Sequence, residues 1–382
     1  MEASVESSGW RPDVLGPGFE CRDLPLGRDE EGDLVATLVR ARPPSRERAD
    51  EPVAGFWRRL FGRATHLGGE LPGADDAQPV LDDVDVLYVH GWSDYFFQRS
   101  LANFWTDRGA RFFALDLRKY GRSLREGQTP GYIEDLADYD QEIGLALETM
   151  GHGDRPAQSD PHPQRRLVLL GHSTGGLVLS LWAASHPGRA DALVLNSPWL
   201  EFQLSAAGRQ LIAPLINLRA RFNLREAAPQ FDAGLYTRAQ LEVGPLDELE
   251  TVDPRWRPER SHPVMNGWLR AILAGHGQVA RGLHLDVPIL LLLSERSALP
   301  LRWEPALTSA DSVLDVEAVA KAALRLGRSV MIDRIDGALH DVFLSRSEVR
   351  ADAYNRIDRW LTGWARSRPA PARSELDEAA TH

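Results

Sequence analysis

The stretch RRLVLLGHSTGGLVLS, residues 165–180, runs from an apolar strand-like segment directly into an apolar helix-like segment. The joint between them is the pentapeptide GHSTG, with Ser173 between Gly171 and Gly175. A G-x-S-x-G pentapeptide that follows a buried strand and opens a helix is typical of a nucleophile elbow, a strained turn that presents its serine. Side chains two positions before and after that serine would collide, which explains both glycines. The pattern therefore predicts that Ser173 stands clear at the top of a sheet.

The composition of the 382-residue chain is that of a globular protein, with 43% hydrophobic and 26% charged residues. The formal net charge of −11 argues against nucleic acid or an anionic lipid surface as the main partner. No uncharged apolar run is long enough to cross a bilayer, and the first residues lack the features of a secretory signal. The single cysteine, Cys21, excludes an internal disulfide and a cysteine-based zinc site. These features predict a cytoplasmic protein without stable membrane insertion.

Short apolar strands alternate with helical segments in most of the chain after residue 82. The predicted strands are 83–91, 111–117, 166–173, 192–198, 287–294 and 329–337. Strands that are apolar along their whole length must be covered on both faces, which favours a mostly parallel sheet between helix layers. Residues 19–43 alternate around a charged turn and predict an antiparallel hairpin at the N-terminal side. The predicted fold class is therefore α/β.

The same patterns divide the chain into a core, an insertion and a tail. Residues 1–198 form the first part of the core, interrupted at 43–81 by a Pro-, Gly-, Asp- and Arg-rich surface excursion. Over 199–286 the strand rhythm stops, and helical or irregular segments predict a cap above the carboxyl ends of the strands. Residues 287–366 complete the core, and 367–382 are predicted to be a disordered tail.

A serine hydroxyl at neutral pH needs a base that takes its proton and an acid that orients the base. After an elbow of this kind the expected chain order is serine, acid, histidine, with the last two on loops that follow later strands. His340, in RIDGALHDV, follows the final predicted strand, whereas His382 lies in the tail. We therefore assign His340 as the base.

Three carboxylates between the last two predicted strands are candidates for the acid. Asp311 lies just before a predicted helix and has no evident structural role. Glu295 ends its strand beside Arg296, and Asp315 opens the helix in the position of an N-cap. From the loop position we favour Asp311, with Glu295 and Asp315 as alternatives.

The negative charge that develops on an attacked carbonyl oxygen requires two backbone N–H groups. One is expected from Thr174, which follows the serine at a helix N-terminus. The other is expected from Trp92, in the loop VHGWSDY after the first central strand. The neighbouring His90 and His172 are predicted to be buried hydrogen-bonding supports. This chemistry needs no metal and no organic cofactor, so none is predicted.

The segments YVHGW, LDLRKYGRS, GHSTGG and the pair ADSVLD and GALHD resemble the α/β-hydrolase superfamily. The branch resembled contains monoacylglycerol lipases, lysophospholipases and serine aminopeptidases. In that branch the catalytic aspartate lies in an A-D-x-x-x-D segment about thirty residues before the histidine. Asp311 precedes His340 by 29 residues, so the resemblance also favours Asp311. The loop from Glu295 to Asp311, with ERSALPLRWEPALTS, is longer than that family pattern.

The predicted reaction is acyl transfer to water through an acyl-enzyme on Ser173. The resemblance implies small-molecule acyl esters as substrates, and the apolar residues Trp199, Phe202 and Trp268 of the insertion are predicted to line an acyl pocket. One alternative is a peptidase, since LEVGPLDELETVD could face a substrate ammonium group. Another is a ligand-binding protein without catalysis. Residues 55–66 have aromatic and arginine residues at helical spacing, which suggests transient lipid contact. The sequence makes no prediction of the oligomeric state.

Overall fold

The computed structural model describes residues 9–42, 81–153, 165–202, 223–228 and 232–366. The strands in these ranges are β1 (Arg11–Pro12), β2 (Phe19–Asp29), β3 (Gly32–Ala41), β4 (Val84–Val89), β5 (Arg111–Asp116), β6 (Arg166–His172), β7 (Ala192–Asn196), β8 (Ile289–Ser294) and β9 (Val330–Ile335). The α-helices are α1 (Arg99–Thr106), α2 (Tyr139–Met150), α3 (Thr174–Ser185), α4 (Leu235–Val243), α5 (Leu246–Leu249), α6 (Asn266–Arg281), α7 (Val316–Ala323) and α8 (Ser347–Arg366).

The described strands form one sheet in the order β1-β2-β3-β5-β4-β6-β7-β8-β9. The six strands from β5 to β9 are parallel neighbours, and the hairpin of β2 and β3 joins the edge of β5 antiparallel. The predicted α/β fold with an N-terminal antiparallel hairpin is confirmed. From β4 the sheet grows through β5 in one direction and through β6 in the other. The carboxyl ends of β4 and β6 therefore form a switch point, where open α/β sheets bind ligands.

Both faces of the sheet are covered, as the apolar strands predicted. Along β4, Leu87 and Val89 belong to one buried apolar cluster, while Val86 and Tyr88 belong to a second cluster. Successive side chains of a strand point to opposite faces, so the two clusters lie on the two sides of the sheet.

Asp85 is a charged residue inside the otherwise apolar strand β4, and its side chain is fully buried. Its carboxylate accepts hydrogen bonds from Arg111, Arg165 (2.6 Å) and His152 (2.8 Å). Burial alone would raise the pKa of Asp85, but these hydrogen bonds hold it at about 2. This buried charge cluster joins the amino ends of β4 and β5 to the chain that precedes β6.

Between β7 and β8 the described residues contain the three helices α4, α5 and α6. Helix α6 packs on α3 of the core, and α4 packs on the short 3-10 turn at Pro305–Ser309. These helices belong to the segment predicted as a cap, whose boundaries at 199 and 286 stay a prediction.

Several predicted segments fall outside the described residues. They are the surface excursion at 43–81 except for Leu81, which is buried, the suggested lipid-contacting helix at 55–66, and the tail at 367–382. In the ranges that the structure covers, no helix has the length and apolar character needed to span a membrane.

Candidate active site

Ser173 lies at the sharp joint between β6 and α3. Its backbone has φ 50° and ψ −116°, in a region that a residue with a side chain rarely adopts. The turn is held by hydrogen bonds: the Ser173 N–H donates to the Asn196 carbonyl (3.0 Å), and the Ser173 carbonyl accepts from the Trp199 N–H (2.9 Å). The strain of the elbow is therefore balanced by contacts to the chain at the end of β7.

The glycines of the elbow are explained by close backbone approach, although not entirely as predicted. A Cβ atom on Gly171 would lie 2.7 Å from the Gly176 Cα atom, so it would collide with the backbone of the elbow itself. A Cβ atom on Gly175 would instead meet the backbone of β4, 2.7 Å from the Val89 carbonyl carbon. The expectation that Gly171 and Gly175 crowd each other is thus only half right, because Gly175 makes room for a neighbouring strand.

Ser173, His340 and Asp311 form one hydrogen-bonded series. The His340 Nε2 atom lies 3.0 Å from the Ser173 Oγ atom, and the His340 Nδ1 atom lies 2.9 Å from the Asp311 Oδ2 atom. An ionised carboxylate can only accept, so Nδ1 carries the proton and Nε2 is free to accept one from the serine. All three side chains are at least nine-tenths buried.

The Asp311 carboxylate is fixed by its own backbone. Its Oδ1 atom accepts from the N–H groups of Val313 (2.7 Å) and Leu314 (2.8 Å), which leaves Oδ2 for the histidine. The other two candidates lie elsewhere. Asp315 caps α7 by accepting from the Glu317 and Ala318 N–H groups, and Glu295 is exposed at the end of β8.

Two turns with backbone N–H groups meet beside the serine. Thr174 is the first residue of α3, so its N–H has no partner within the helix. The turn at Gly91 and Trp92 follows β4, and a Cβ atom on Gly91 would lie 3.1 Å from the Ser173 Cβ atom. Trp92 and Thr174 line the same cavity as Ser173 and His340. Trp92 and Thr174 therefore lie at the same cavity as Ser173, and their role as oxyanion donors stays a prediction.

The two histidines beside these turns are buried and hydrogen-bonded. His90 lies with Nδ1 2.8 Å from the Gly91 carbonyl oxygen, and its Nε2 accepts from the Leu117 N–H. The His172 Nδ1 atom lies 3.1 Å from the Asn196 carbonyl oxygen. Burial lowers the pKa of His172, which keeps this ring neutral beside His340.

Asp341, the residue after His340, ties the histidine loop to the sheet. Its fully buried carboxylate accepts from the side-chain amides of Asn196 (2.7 Å) and Gln98 (3.0 Å). Asn196 ends β7 and Gln98 precedes α1. The position of His340 is therefore fixed by two other segments of the core. Sequence analysis missed Asp341, although its place next to the assigned base is the signal that could have found it.

A cavity of about 600 Å³ opens above Ser173. One part of its wall is apolar, and it includes the three residues that were predicted to bind substrate: Trp199, Phe202 and Trp268. The Trp199 ring centroid lies 5.9 Å from those of both Phe202 and Trp268, and the Trp92 ring lies 4.0 Å from that of Trp268. These rings form a continuous aromatic wall next to the serine.

Another part of the wall is polar, and sequence analysis did not identify it. The Tyr236 ring meets the His340 ring edge-on, with centroids 5.6 Å apart, and its buried hydroxyl has no hydrogen-bond partner among the described residues. Burial raises the pKa of Tyr236 well above its usual value, so the hydroxyl keeps its proton. Nearby, Arg257 is paired with Asp94 at 2.8 Å. Tyr236 and Arg257 lie in the insertion, where no motif pointed to them, whereas Asp94 belongs to the loop VHGWSDY that supplies Trp92.

Comparison with known proteins supports the α/β-hydrolase superfamily and its fold. The sequence profile of Hydrolase_4, described as serine aminopeptidase, S33, matches residues 83–299, which is more than half of the chain. The chain is 27% identical over 333 residues to lysophospholipase L2 of Escherichia coli (strain K12), covering 80% of this chain and 88% of that protein. It is 27% identical over 118 residues to a monoacylglycerol lipase of Mycolicibacterium smegmatis, covering 30% of this chain and 37% of that protein.

Two solved structures share the fold at low sequence identity. A monoacylglycerol lipase of Paleococcus ferrophilus is 16% identical with a TM-score of 0.53, covering 75% of this chain and 97% of that chain. A soluble variant of monoglyceride lipase from Saccharomyces cerevisiae, in complex with a substrate analog, is 14% identical with a TM-score of 0.55. That likeness covers 90% of this chain and 96% of the yeast chain.

Proposed function

The chain belongs to the serine aminopeptidase S33 family of the α/β-hydrolase superfamily, and we propose that it is a serine hydrolase of acyl esters like monoacylglycerols or lysophospholipids. The observation that carries this proposal is the hydrogen-bonded series from Ser173 through His340 to Asp311. The lysophospholipase and monoacylglycerol lipase relatives support the substrate class.

In the proposed acylation step, the Ser173 Oγ atom attacks the ester carbonyl carbon while its proton moves to the His340 Nε2 atom. The carbonyl oxygen becomes an oxyanion, which accepts hydrogen bonds from the Trp92 and Thr174 N–H groups. When the intermediate collapses, the bond from carbon to the alcohol oxygen breaks and His340 gives its proton to the departing alcohol. The buried Asp311 carboxylate stabilises the positively charged imidazole during both transfers.

Deacylation repeats these steps with water in place of the serine. A water molecule gives a proton to the His340 Nε2 atom as its oxygen attacks the acyl carbon. The bond between carbon and the Ser173 Oγ atom then breaks, and the proton returns to the serine. The products are a carboxylic acid and the alcohol, and the enzyme regains its starting state.

The two sides of the cavity suit the two parts of such an ester. The aromatic wall of Trp199, Phe202 and Trp268 suits an acyl chain, because burial of apolar carbon is favourable. The Tyr236 ring meets the ring of the histidine that protonates the alcohol, and we assign its hydroxyl, which has no partner among the described residues, to a hydroxyl of that alcohol. We assign the leaving alcohol to this polar side.

The carboxylates of the cavity favour an ester over a peptide with a free amino group. Among the described residues that line the cavity, the carboxylates are Asp94 and Asp232. Asp94 is paired with Arg257, and Asp232 accepts from Ser261 and from the Gly234 N–H. In the acidic segment 241–253, Glu248 is buried and accepts from the Ser100 N–H. Asp94 therefore has a cationic partner and Asp232 is held by hydrogen bonds to the protein, which favours an ester over a substrate that brings an ammonium group.

A fluorophosphonate probe and p-nitrophenyl esters test the proposal. We expect covalent labelling and ester turnover by the natural chain, and loss of both in Ser173→Ala. Ser185→Ala, at the far end of the same helix α3, is the matched control and should keep both. Failure of the natural chain to be labelled would favour a ligand-binding protein, and faster turnover of aminoacyl amides than of acyl esters would favour a peptidase.

A further inference from the structure

Two exposed leucines lie at the rim of the cavity that holds Ser173. Large hydrophobic side chains that are at least 45% exposed in the described part of the chain are Val14, Leu241, Leu246, Leu299, Leu301, Leu324 and Met331. Of these, only Leu299 (49% exposed) and Leu301 (78%) line the cavity. They flank Pro300, which also lines it. We call residues 298–302 the rim loop.

The base of the rim loop is held in place on both sides. The Ala298 N–H donates to the Asp311 carbonyl (2.8 Å), and the Asp311 N–H donates to the Arg296 carbonyl (3.0 Å). After the loop, the Trp303 ring packs under the Arg238 guanidinium, 3.8 Å from the ring centroid. These contacts hold the two ends of the loop, and Leu299 and Leu301 are exposed between them.

The charges around the rim loop cancel one another. Arg302 is exposed within the loop, and Arg296, Glu295 and Glu304 are exposed next to it. The whole chain carries a formal net charge of −11, which opposes adsorption to an anionic surface. A partner of the rim loop is therefore recognised by apolar contact and not by charge.

We propose that the rim loop inserts Leu299 and Leu301 into the surface of neutral or zwitterionic lipid, so that an acyl ester passes from the lipid into the cavity. This inference rests on the proposed function, because the substrates assigned there reside in such surfaces. The exposed leucines continue the apolar lining of the cavity outward to the solvent. An acyl chain that enters past them stays in apolar contact along the way.

Flotation with phosphatidylcholine vesicles tests the proposal, using a Ser173→Ala parent so that no lipid is hydrolysed. We expect the parent to bind, and binding to be insensitive to salt. Adding Leu299→Ser and Leu301→Ser to the parent should weaken vesicle binding roughly thirtyfold, as expected for the apolar area that these side chains expose. Leu324→Ser, a 67% exposed leucine that does not line the cavity, is the matched control and should bind like the parent.

Three outcomes would overturn the proposal: a parent that does not bind, a double variant that binds like the parent, or binding that requires anionic lipid. A change in oligomeric state without a change in vesicle binding would assign the rim loop to a second copy of the chain, and would equally refute it. Turnover of p-nitrophenyl butyrate by the natural chain is measured separately. Turnover without vesicle binding would reject the lipid contact and leave the esterase proposal standing.

Discussion

Replacing Asp311 with asparagine tests whether Asp311 is the acid of the triad, because the change alters which nitrogen of His340 carries the proton. The Asp311 Oδ1 atom accepts from two backbone N–H groups, at Val313 and Leu314. In Asp311→Asn the amide oxygen must take this position, since an NH2 group there would face two donors. The NH2 group then points at the His340 Nδ1 atom, which has to accept. His340 is forced to carry its proton on Nε2, so it can no longer accept one from Ser173.

The expected loss is about a thousandfold to ten-thousandfold in kcat, because the geometry survives while the tautomer is wrong. This loss corresponds to about 4 to 5.5 kcal/mol of transition-state stabilisation. Turnover of p-nitrophenyl butyrate measures it, and urea unfolding shows whether the variant is folded.

The two alternative acids provide matched controls. Asp315→Asn keeps an N-cap residue on α7, and Glu295→Gln changes an exposed side chain, so both should retain full activity. Asp311 would not be the acid if Asp311→Asn kept more than a tenth of the activity. The same conclusion would follow if either control lost about a thousandfold in kcat.

Three further variants probe the elbow, the buried charge cluster and the polar wall. Gly175→Ala should lower the free energy of unfolding by roughly 1–3 kcal/mol, since the new Cβ atom would press on the Val89 backbone. Asp85→Asn should lower the free energy of unfolding by about 3 kcal/mol at pH 7. The pKa of Asp85 is about 2 in the folded protein, below its unfolded value, so this difference should persist above pH 4 and shrink toward pH 2. Tyr236→Phe should lower kcat/KM for a monoacylglycerol about tenfold relative to the methyl ester of the same acid.

Each of these expectations has a clear contrary result. Unchanged urea unfolding of Gly175→Ala would mean that the elbow relaxes without cost. A stability difference for Asp85→Asn that stays constant down to pH 2 would mean that the carboxylate does not act through its charge. Equal losses of kcat/KM on the monoacylglycerol and the methyl ester would mean that Tyr236 does not recognise the alcohol.

The fold could be predicted from the sequence because its signals are local. Segments such as 166–173 and 287–294 are apolar throughout, and such segments require cover on both faces wherever they lie in the sheet. Helix α3 begins at Thr174, directly after Ser173, as the elbow pattern predicted.

The site was harder to predict because it depends on distances across the fold. Position in the chain did not decide which of Asp311, Glu295 and Asp315 is the acid, since all three lie between the same two strands. Asp311 reaches the histidine because the loop returns to its own beginning, where Ser297 and Asp311 form a bridge. Tyr236 was missed for a related reason, because nothing local distinguishes it from other residues of the insertion.

The carboxylate of Asp341 has a consequence for how such a protein can diversify. It fastens the loop of His340 to Asn196 at the end of β7 and to Gln98 before α1, and both anchors lie outside the stretch between β7 and β8. Much of the recognition surface comes instead from the stretch between β7 and β8. Exchanging the part of that stretch beyond Trp199, whose N–H holds the elbow, would alter the cavity and leave Ser173, His340 and Asp311 in place, so a change of specificity does not require these three residues to be rebuilt.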